Sequence, residues 1–309
     1  MGVAHVGGAD RIGLEATDGR ERVVIVVTGA NGRVGRLVAA ALMADGQRVR
    51  VVVRDAAAAR VTLGDSVDIA TADLADRGAV DRAVSNAKAV FLCSPVHPDQ
   101  VALQGHVVDA AANAGAHVVK LSGLATFQGS FVDSGRWHAE TEQAIRESGL
   151  PHTFLHPLFF TQNLGAMLPL ARARGSIASA NPGAKIAMID VRDIAAVAAT
   201  LLRDPARAPE RTLVLTGPEA LSFTDVAGLL SRLTGREIGC RTLLPEQQVE
   251  NLRKSGQPEW HVRILAQFNE AFGNGLAQQV TTAVPDVLGR PAIAVEASLR
   301  AMLNAAPHA

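Results

Sequence analysis

Hydrophobic residues fall along the chain in short blocks of two kinds. Residues 22–27, RVVIVV, form a nearly unbroken β-branched run, the mark of a strand covered on both faces. RLVAAALMADG (36–46) follows with helical spacing and a Gly stop, and RVRVVVR (48–54) returns to the strand pattern. The alternation continues with strand and turn in SVDIATADL, a helix in DRGAVDRAVS and a strand in AVFLCSP. Next come a helix in DQVALQGHVVDAAANAG, a strand in HVVKLSG, a helix opening with SGRWHAETEQAI (134–145) and a strand in HTFLHP. Strands alternating with helices predict an α/β fold, a Rossmann-type doubly wound parallel sheet. Right-handed crossovers then put the ligand crevice outside the carboxyl ends of the strands.

After about Phe160 the pattern loosens. AKIAMIDVRDIAAVAATLL (184–202) and RTLVLTG (211–217) still read as strand, helix, strand, and the remainder is mostly helical with scattered Gly and Pro. The expected organisation is a flexible tail at 1–20 and a dinucleotide-binding domain at 21–160. A smaller, mostly helical substrate lobe at 161–309 covers the crevice, with 184–217 returning to the Rossmann core.

Composition narrows the function. With 309 residues, 48% of them hydrophobic, the chain can build one large core or a core with a smaller appended lobe. Thirty basic and thirty acidic residues cancel, which argues against nucleic acid or an anionic membrane as partner, since both demand a basic surface. Cys93 and Cys240 are the only cysteines and form no framework of paired spacings, as in a reduced, cytoplasmic protein. The first twenty residues have no apolar run of the kind a signal peptide carries. No apolar run approaches the roughly 20 residues that cross a bilayer. His97, His106 and His117 lack metal-ligand spacing, and no metal is expected. A homodimer is compatible with the sequence but nothing in it requires one.

The clearest candidate chemistry lies in TGANGRVG (28–35), between the first strand and its helix. Gly29, Gly32 and Gly35 suit a tight turn over which a pyrophosphate sits on free N–H groups at a helix start, with Asn31, Arg33 and Val34 alongside. Arg54 ends the second strand, where Asp or Glu would read a ribose hydroxyl and Arg favours the 2′-phosphate. Arg33 can reach the same phosphate from the loop, and a guanidinium suits it. The reading is NADP(H) in preference, with Asp55 keeping NAD(H) open. Asp73 and Leu74, after the third strand, are placed for the adenine. Ser94 and Pro95 end the fourth strand along the cofactor, and Ser122 ends the fifth beside the nicotinamide. Phe159, Phe160 and Asn163, just past the sixth strand, are candidates to hold a flat aromatic substrate.

TGANGRVG, the Arg at strand two, KLSGL, HAETEQAIRESGLPHTFLHPLFFTQNL (138–164), IDVRDIAAVAATLL and LTGPEALSFTDVAGLLS together resemble the NmrA-like group of atypical short-chain dehydrogenase/reductases. The likeness runs from about residue 22 to the C-terminus. The group includes NADPH-dependent quinone reductases, azo and triphenylmethane dye reductases and non-catalytic redox sensors, and some relatives serve aromatic polyketide tailoring. Typical short-chain dehydrogenases use a Tyr-x-x-x-Lys pair on the helix after the fifth strand, and this chain has no tyrosine. The group's quinone reductases carry His-x-x-x-Glu there, which His138 and Glu142 match, so the resemblance implies His138 as a catalytic residue; Ser122, at the end of the fifth strand, is the second catalytic candidate. Trp137, beside His138, is a further substrate candidate. Where the group often has Arg before Pro at the end of the sixth strand, this chain has His156, which borders the substrate pocket.

The resemblance implies an NAD(P)H-dependent reductase of a quinone or similar planar aromatic acceptor, working without flavin or metal. Two alternatives follow from the same likeness. One is a hydroxylating tailoring enzyme of an aromatic polyketide pathway, acting through quinone reduction and oxygen. The other is a redox sensor that binds NADP(H) without turnover.

Overall fold

The computed structural model describes residues 24–305, so the tail expected at 1–20 lies outside the described residues. The first half alternates β1 (Val24–Thr28), α1 (Arg33–Ala44), β2 (Val49–Val53), α2 (Ala56–Leu63), β3 (Asp68–Thr71), α3 (Arg77–Val84), β4 (Ala87–Leu92), α4 (Gln100–Ala114), β5 (His117–Leu121), α5 (Asp133–Glu147) and β6 (His152–Pro157). A 3-10 helix (Thr161–Met167), α6 (Leu168–Arg174), β7 (Ser176–Ser179), α7 (Val191–Arg203) and β8 (Arg211–Leu215) follow. The chain continues through α8 (Phe223–Thr234), β9 (Gly239–Thr242), α9 (Pro245–Lys254), α10 (Glu259–Gly273), α11 (Ala283–Leu288) and α12 (Val295–Ala305).

Seven strands form one parallel sheet in the order β3-β2-β1-β4-β5-β6-β8. The order reverses between β1 and β4, which opens a ligand crevice at their carboxyl ends. Every residue of β1 is buried, because one sheet face packs against a core drawn from α1 and α7 and the other against a core from α3, α4 and α5. A third apolar cluster, with Leu164, Ile177, Phe223 and Phe272, holds the C-terminal helices together. Among the described residues no helix is long and apolar enough to cross a membrane, and no group of three or more His, Cys, Asp or Glu is placed to hold a metal ion.

Two local readings change. Residues 184–190 are not a strand of the main sheet. Ile186 bridges Leu221 and Ile189 bridges Phe160, with Ile186, Ala187, Met188 and Ile189 fully buried. An apolar run this short does not distinguish a strand from a buried connection. The parallel pair β7 and β9 lies outside the main sheet; each strand has four residues, too few for a readable alternation.

Candidate active site

At the switch point the Thr28 hydroxyl donates to the Cys93 carbonyl (2.7 Å) and accepts from the Cys93 N–H (2.9 Å), locking the ends of β1 and β4 together. Gly29 turns away with φ +67°, and a Cβ on it would stand 2.8 Å from the Cys93 carbonyl oxygen. A Cβ on Gly35 would lie 2.3 Å from the Gly29 carbonyl oxygen. Helix and loop backbones therefore touch, as a phosphate-cradling turn demands. No side chain caps the start of α1 at Gly32, which leaves its first N–H groups and positive dipole end for an anion.

The end of β2 is organised by two bonds. Asn31 Nδ2 donates to the Asp55 carbonyl (3.0 Å), and the Asp55 carboxylate accepts from the Ala58 N–H to cap α2. Asp55 is thus engaged as a helix cap, while Arg54 stands exposed at the crevice. Arg33 Nη1 donates to Asn163 Oδ1 (3.0 Å), linking the Gly loop to the segment after β6. Asp73 accepts from the Ala75 N–H in a local turn, and Ser94 Oγ accepts from Gln104 Nε2 (2.8 Å).

Beneath the end of β5 lies a buried polar cluster. Lys120 points from β5 toward α4 and α5 and is fully buried. Its ammonium donates to Ser122 Oγ (3.1 Å) and to His138 Nδ1 (2.9 Å). Gln100 Nε2 also stands 2.9 Å from His138 Nδ1. Ser122 Oγ in turn donates to Glu142 Oε1 (2.5 Å), and His156 Nε2 bonds the same carboxylate oxygen (2.7 Å). Burial pushes the Lys120 ammonium down to about 8, against the opposing influence of Glu142 and Cys93. Burial, then the charges of Lys120 and His156, hold His138 well below the usual imidazole range. Burial works against ionisation of Glu142, but hydrogen bonds from His156 and Ser122 and the Lys120 charge still hold its carboxyl below the ordinary value. His138 is accordingly neutral. With Nδ1 accepting, its proton is on Nε2, which has no protein partner among the described residues and belongs to a side chain that lines the cavity.

One cavity of about 1020 Å³ gathers these parts. The expected cofactor residues all line it, from Gly29 through Arg54, Asp73, Leu74, Ser94 and Pro95 to Ser122, as do His138, Phe159, Phe160 and Asn163. Trp137 and His156 do not. Trp137 lies one residue from His138 on α5, about 100° round the helix, and its half-buried ring faces elsewhere. His156 points beneath the cavity to Glu142. Glu142 does not orient His138; Lys120 and Gln100 do. Cys93 lines the cavity with its thiol pushed up to about 11 by burial, which makes it inert as a nucleophile.

Sequence reading missed Lys120, Gln100 and most of the far wall. That wall is Leu124, Met167, Phe223, Leu265, Phe268 and Phe272, with Gln248 and Asn269 as polar members. Phe159 meets Phe223 and Phe272 edge to face, with ring centres 6.3 and 5.8 Å apart. Among the described residues no Lys, Arg, Asp or Glu lines that wall. A Lys in the middle of a strand covered by helices was the available signal for the buried cluster.

Residues 21–288 match the model of the NmrA-like family. The chain is 33% identical over 270 residues to the NAD(P)H azoreductase of Xenophilus azovorans, covering 87% of this chain and 94% of that protein. It is 35% identical over 274 residues to a (4-alkanoyl-5-oxo-2,5-dihydrofuran-3-yl)methyl phosphate reductase of Streptomyces griseus, covering 87% and 94%. The solved structure of the NADPH-dependent quinone oxidoreductase QOR2 from Escherichia coli, complexed with NADPH, superposes with a TM-score of 0.83 at 23% identity, covering 91% of this chain and all of that one.

Proposed function

The chain belongs to the NmrA-like family, and from that premise we propose that it is an NAD(P)H-dependent oxidoreductase, preferring NADP(H), that reduces a quinone or related planar aromatic acceptor. The observation that carries this reading is one continuous cavity. It runs from the uncapped start of α1 to a wall of phenylalanines, with the Nε2–H of neutral His138 on its side.

The residues present fit the dinucleotide. The α1 start and the glycines that no Cβ could replace would hold the pyrophosphate, and Arg54 with Arg33 the 2′-phosphate. Asp73 and Leu74 would meet the adenine, and Ser94, Pro95 and Ser122 would follow the cofactor to the end of β5. When bound, the reduced nicotinamide supplies the hydride. The protein's own task is to hold the acceptor flat against Phe159 and its neighbours and to answer the charge that develops on the acceptor oxygen. His138 Nε2–H is the donor for that oxygen. The Ser122 hydroxyl hydrogen is committed to Glu142, so beside the cofactor Ser122 would not donate to the acceptor but hold Glu142 and Lys120 in place. The acceptor is uncharged in this reading, because the aromatic wall carries no ion pair for a phosphate or sulfonate.

Purified protein mixed with NADPH and a panel of benzoquinones, naphthoquinones and azo dyes tests the reading through the nicotinamide absorbance. Acceptor-dependent NADPH oxidation is expected. Tight NADPH binding without oxidation by any acceptor would overturn it in favour of a sensor, and oxygen consumption beyond reoxidation of the product would point to hydroxylation.

A further inference from the structure

The cluster beneath His138 is larger than a simple hydrogen-bond donor needs. To donate from Nε2, an imidazole needs one partner that satisfies Nδ1. Here two donors converge on Nδ1, Lys120 Nζ and Gln100 Nε2, each at 2.9 Å, while Gln100 Oε1 is buried with no partner. A ring nitrogen has a single in-plane lone pair, so one of these donors is always in excess. The opposite tautomer, with the proton on Nδ1, finds two acceptors in the same place: the lone pair of a neutral Lys120 amine, and Gln100 Oε1 after a turn of its amide. The surroundings of Nδ1 thus suit both tautomers of His138.

We propose that Lys120 is the proton store of this site, a positioning residue that passes its proton to the acceptor through the imidazole of His138. This rests on the reading above, in which His138 faces the acceptor oxygen. As the Nε2–H bond of His138 breaks, the O–H bond of the reduced acceptor forms. One N–H bond of the Lys120 ammonium breaks as the Nδ1–H bond forms. The imidazole is neutral before and after and has exchanged tautomers; the positive charge of Lys120 and the negative charge on the acceptor oxygen disappear together. The hydride comes from the reduced nicotinamide of the proposed reaction.

The arrangement explains why the lysine is buried. It cannot meet the substrate itself, since it does not line the cavity. The titratable groups around it are Cys93 beyond the end of β4, His138 and Glu142 from α5, and His156 from β6 behind Glu142. Burial brings the Lys120 ammonium down to about 8, so it is charged at neutrality and close to the point of release. Ser122, Glu142 and His156 connect it to the outer side of the cluster, where the Arg146 guanidinium meets Glu142 at 3.5 Å. After the product leaves, Nε2 takes a proton from water entering the cavity and the Nδ1–H proton passes back to Lys120, so the Nε2–H tautomer and the ammonium are restored together.

Two measurements test the proposal. The first is nitrogen NMR of the free protein with labelled histidine. His138 is expected as the neutral Nε2–H tautomer at pH 7, with its Nδ1 resonance moving as Lys120 titrates near pH 8. That movement should vanish in Lys120→Met. An Nδ1–H tautomer or an imidazolium at pH 7 overturns the proposal, whatever the enzyme reduces and whether or not the variant folds. The second is turnover of two acceptors across pH: an alkyl-substituted quinone whose reduced anion needs a proton, and a tetrahalogenated quinone whose reduced anion persists at neutral pH. With the alkyl quinone, wild-type turnover should fall above about pH 8, and Lys120→Met should lower it at least tenfold and remove that limb. The tetrahalogenated quinone should slow less than threefold. Equal slowing of both acceptors would make Lys120 merely structural and would also overturn the proposal. If neither quinone is reduced, the proposed activity fails, and the NMR result still decides on the relay.

Discussion

At the scale of single residues, the site depends on which polar groups are already engaged. Asp55 is occupied as the cap of α2, so on the proposed function the preference for NADP(H) would turn on Arg54 and Arg33. Arg54→Ala is expected to weaken NADPH binding by roughly 1.5–3 kcal/mol, the scale of a charged hydrogen bond, while NADH binding barely changes. Titrating the variant with both dinucleotides checks this; equal affinities in the unmutated protein would instead move the ribose contact to Asp55. His138 is neutral and buried, so its loss should act on the chemical step and leave the distant pyrophosphate contacts alone. His138→Ala is expected to lower kcat at least tenfold, about 1.4 kcal/mol of transition-state stabilisation, with NADPH affinity retained. Unaltered turnover would make His138 a bystander and leave water as the proton source.

Secondary-structure elements were the most legible part of the sequence. The β-branched runs of β1, β2 and β5 and the Gly loop between β1 and α1 are local signals, and they put most of the expected cofactor residues in one crevice without reference to distant contacts. What stayed hidden depends on long-range packing. Residues 184–190 look like a strand but cross the end of the sheet as a buried connection. Lys120 and Gln100 read as ordinary polar positions until α4 and α5 close over β5. The IDVRD segment gained a role that spacing could not show. Asp190 caps α7 and accepts from Ser298 of α12 (2.5 Å) and from Arg192 (2.7 Å). Asp193 accepts from the Ile293 N–H (2.6 Å) and pairs with Arg290 (2.8 Å). These aspartates hold the C-terminal segment against the start of α7. Burial works against the Asp190 charge, but its bonds to Arg192 and Ser298 lower its carboxyl to about 2, against 3.8 ordinarily. A carboxylate depressed in the folded state adds stability above its unfolded pKa and loses it as pH falls through the folded value. The unmutated protein should therefore lose part of its stability between about pH 4 and pH 2. Asp190→Asn should be less stable at neutral pH by about 1.5–3 kcal/mol and flatter over that acid range. Thermal melts at a series of pH values measure both effects.

At the scale of the whole molecule, the cavity is a joint product of the sheet and the C-terminal helices. In the proposed reaction the sheet side would supply the phosphate-binding backbone and the buried proton donors. The helices supply an aromatic wall without a charged side chain, and the Arg33–Asn163 bond ties the two parts together at the Gly loop. This division of labour separates the charges of the reaction. In the proposed reaction anionic groups would be met at the dinucleotide end, by Arg33, Arg54 and the α1 start, and the acceptor would enter the apolar end. An acceptor bearing a fixed negative charge would have to bury it against Phe223, Phe268 and Phe272 without a charged partner. Burying an unpaired ion costs several kcal/mol even after the structure relaxes, and each 1.4 kcal/mol is tenfold in binding. A naphthoquinone and its sulfonate, matched in ring and reducibility, should therefore differ at least 100-fold in kcat/KM in favour of the neutral compound. Most of that difference should lie in KM, because the sulfonate penalises entry more than hydride transfer. The contrast should shrink in Phe268→Lys, which would place an ammonium on that wall. If the sulfonate is reduced as readily as its parent by the unmutated protein, the acceptor does not enter the aromatic chamber, and the hydride must be delivered toward the open mouth of the crevice beside Pro95 and His97.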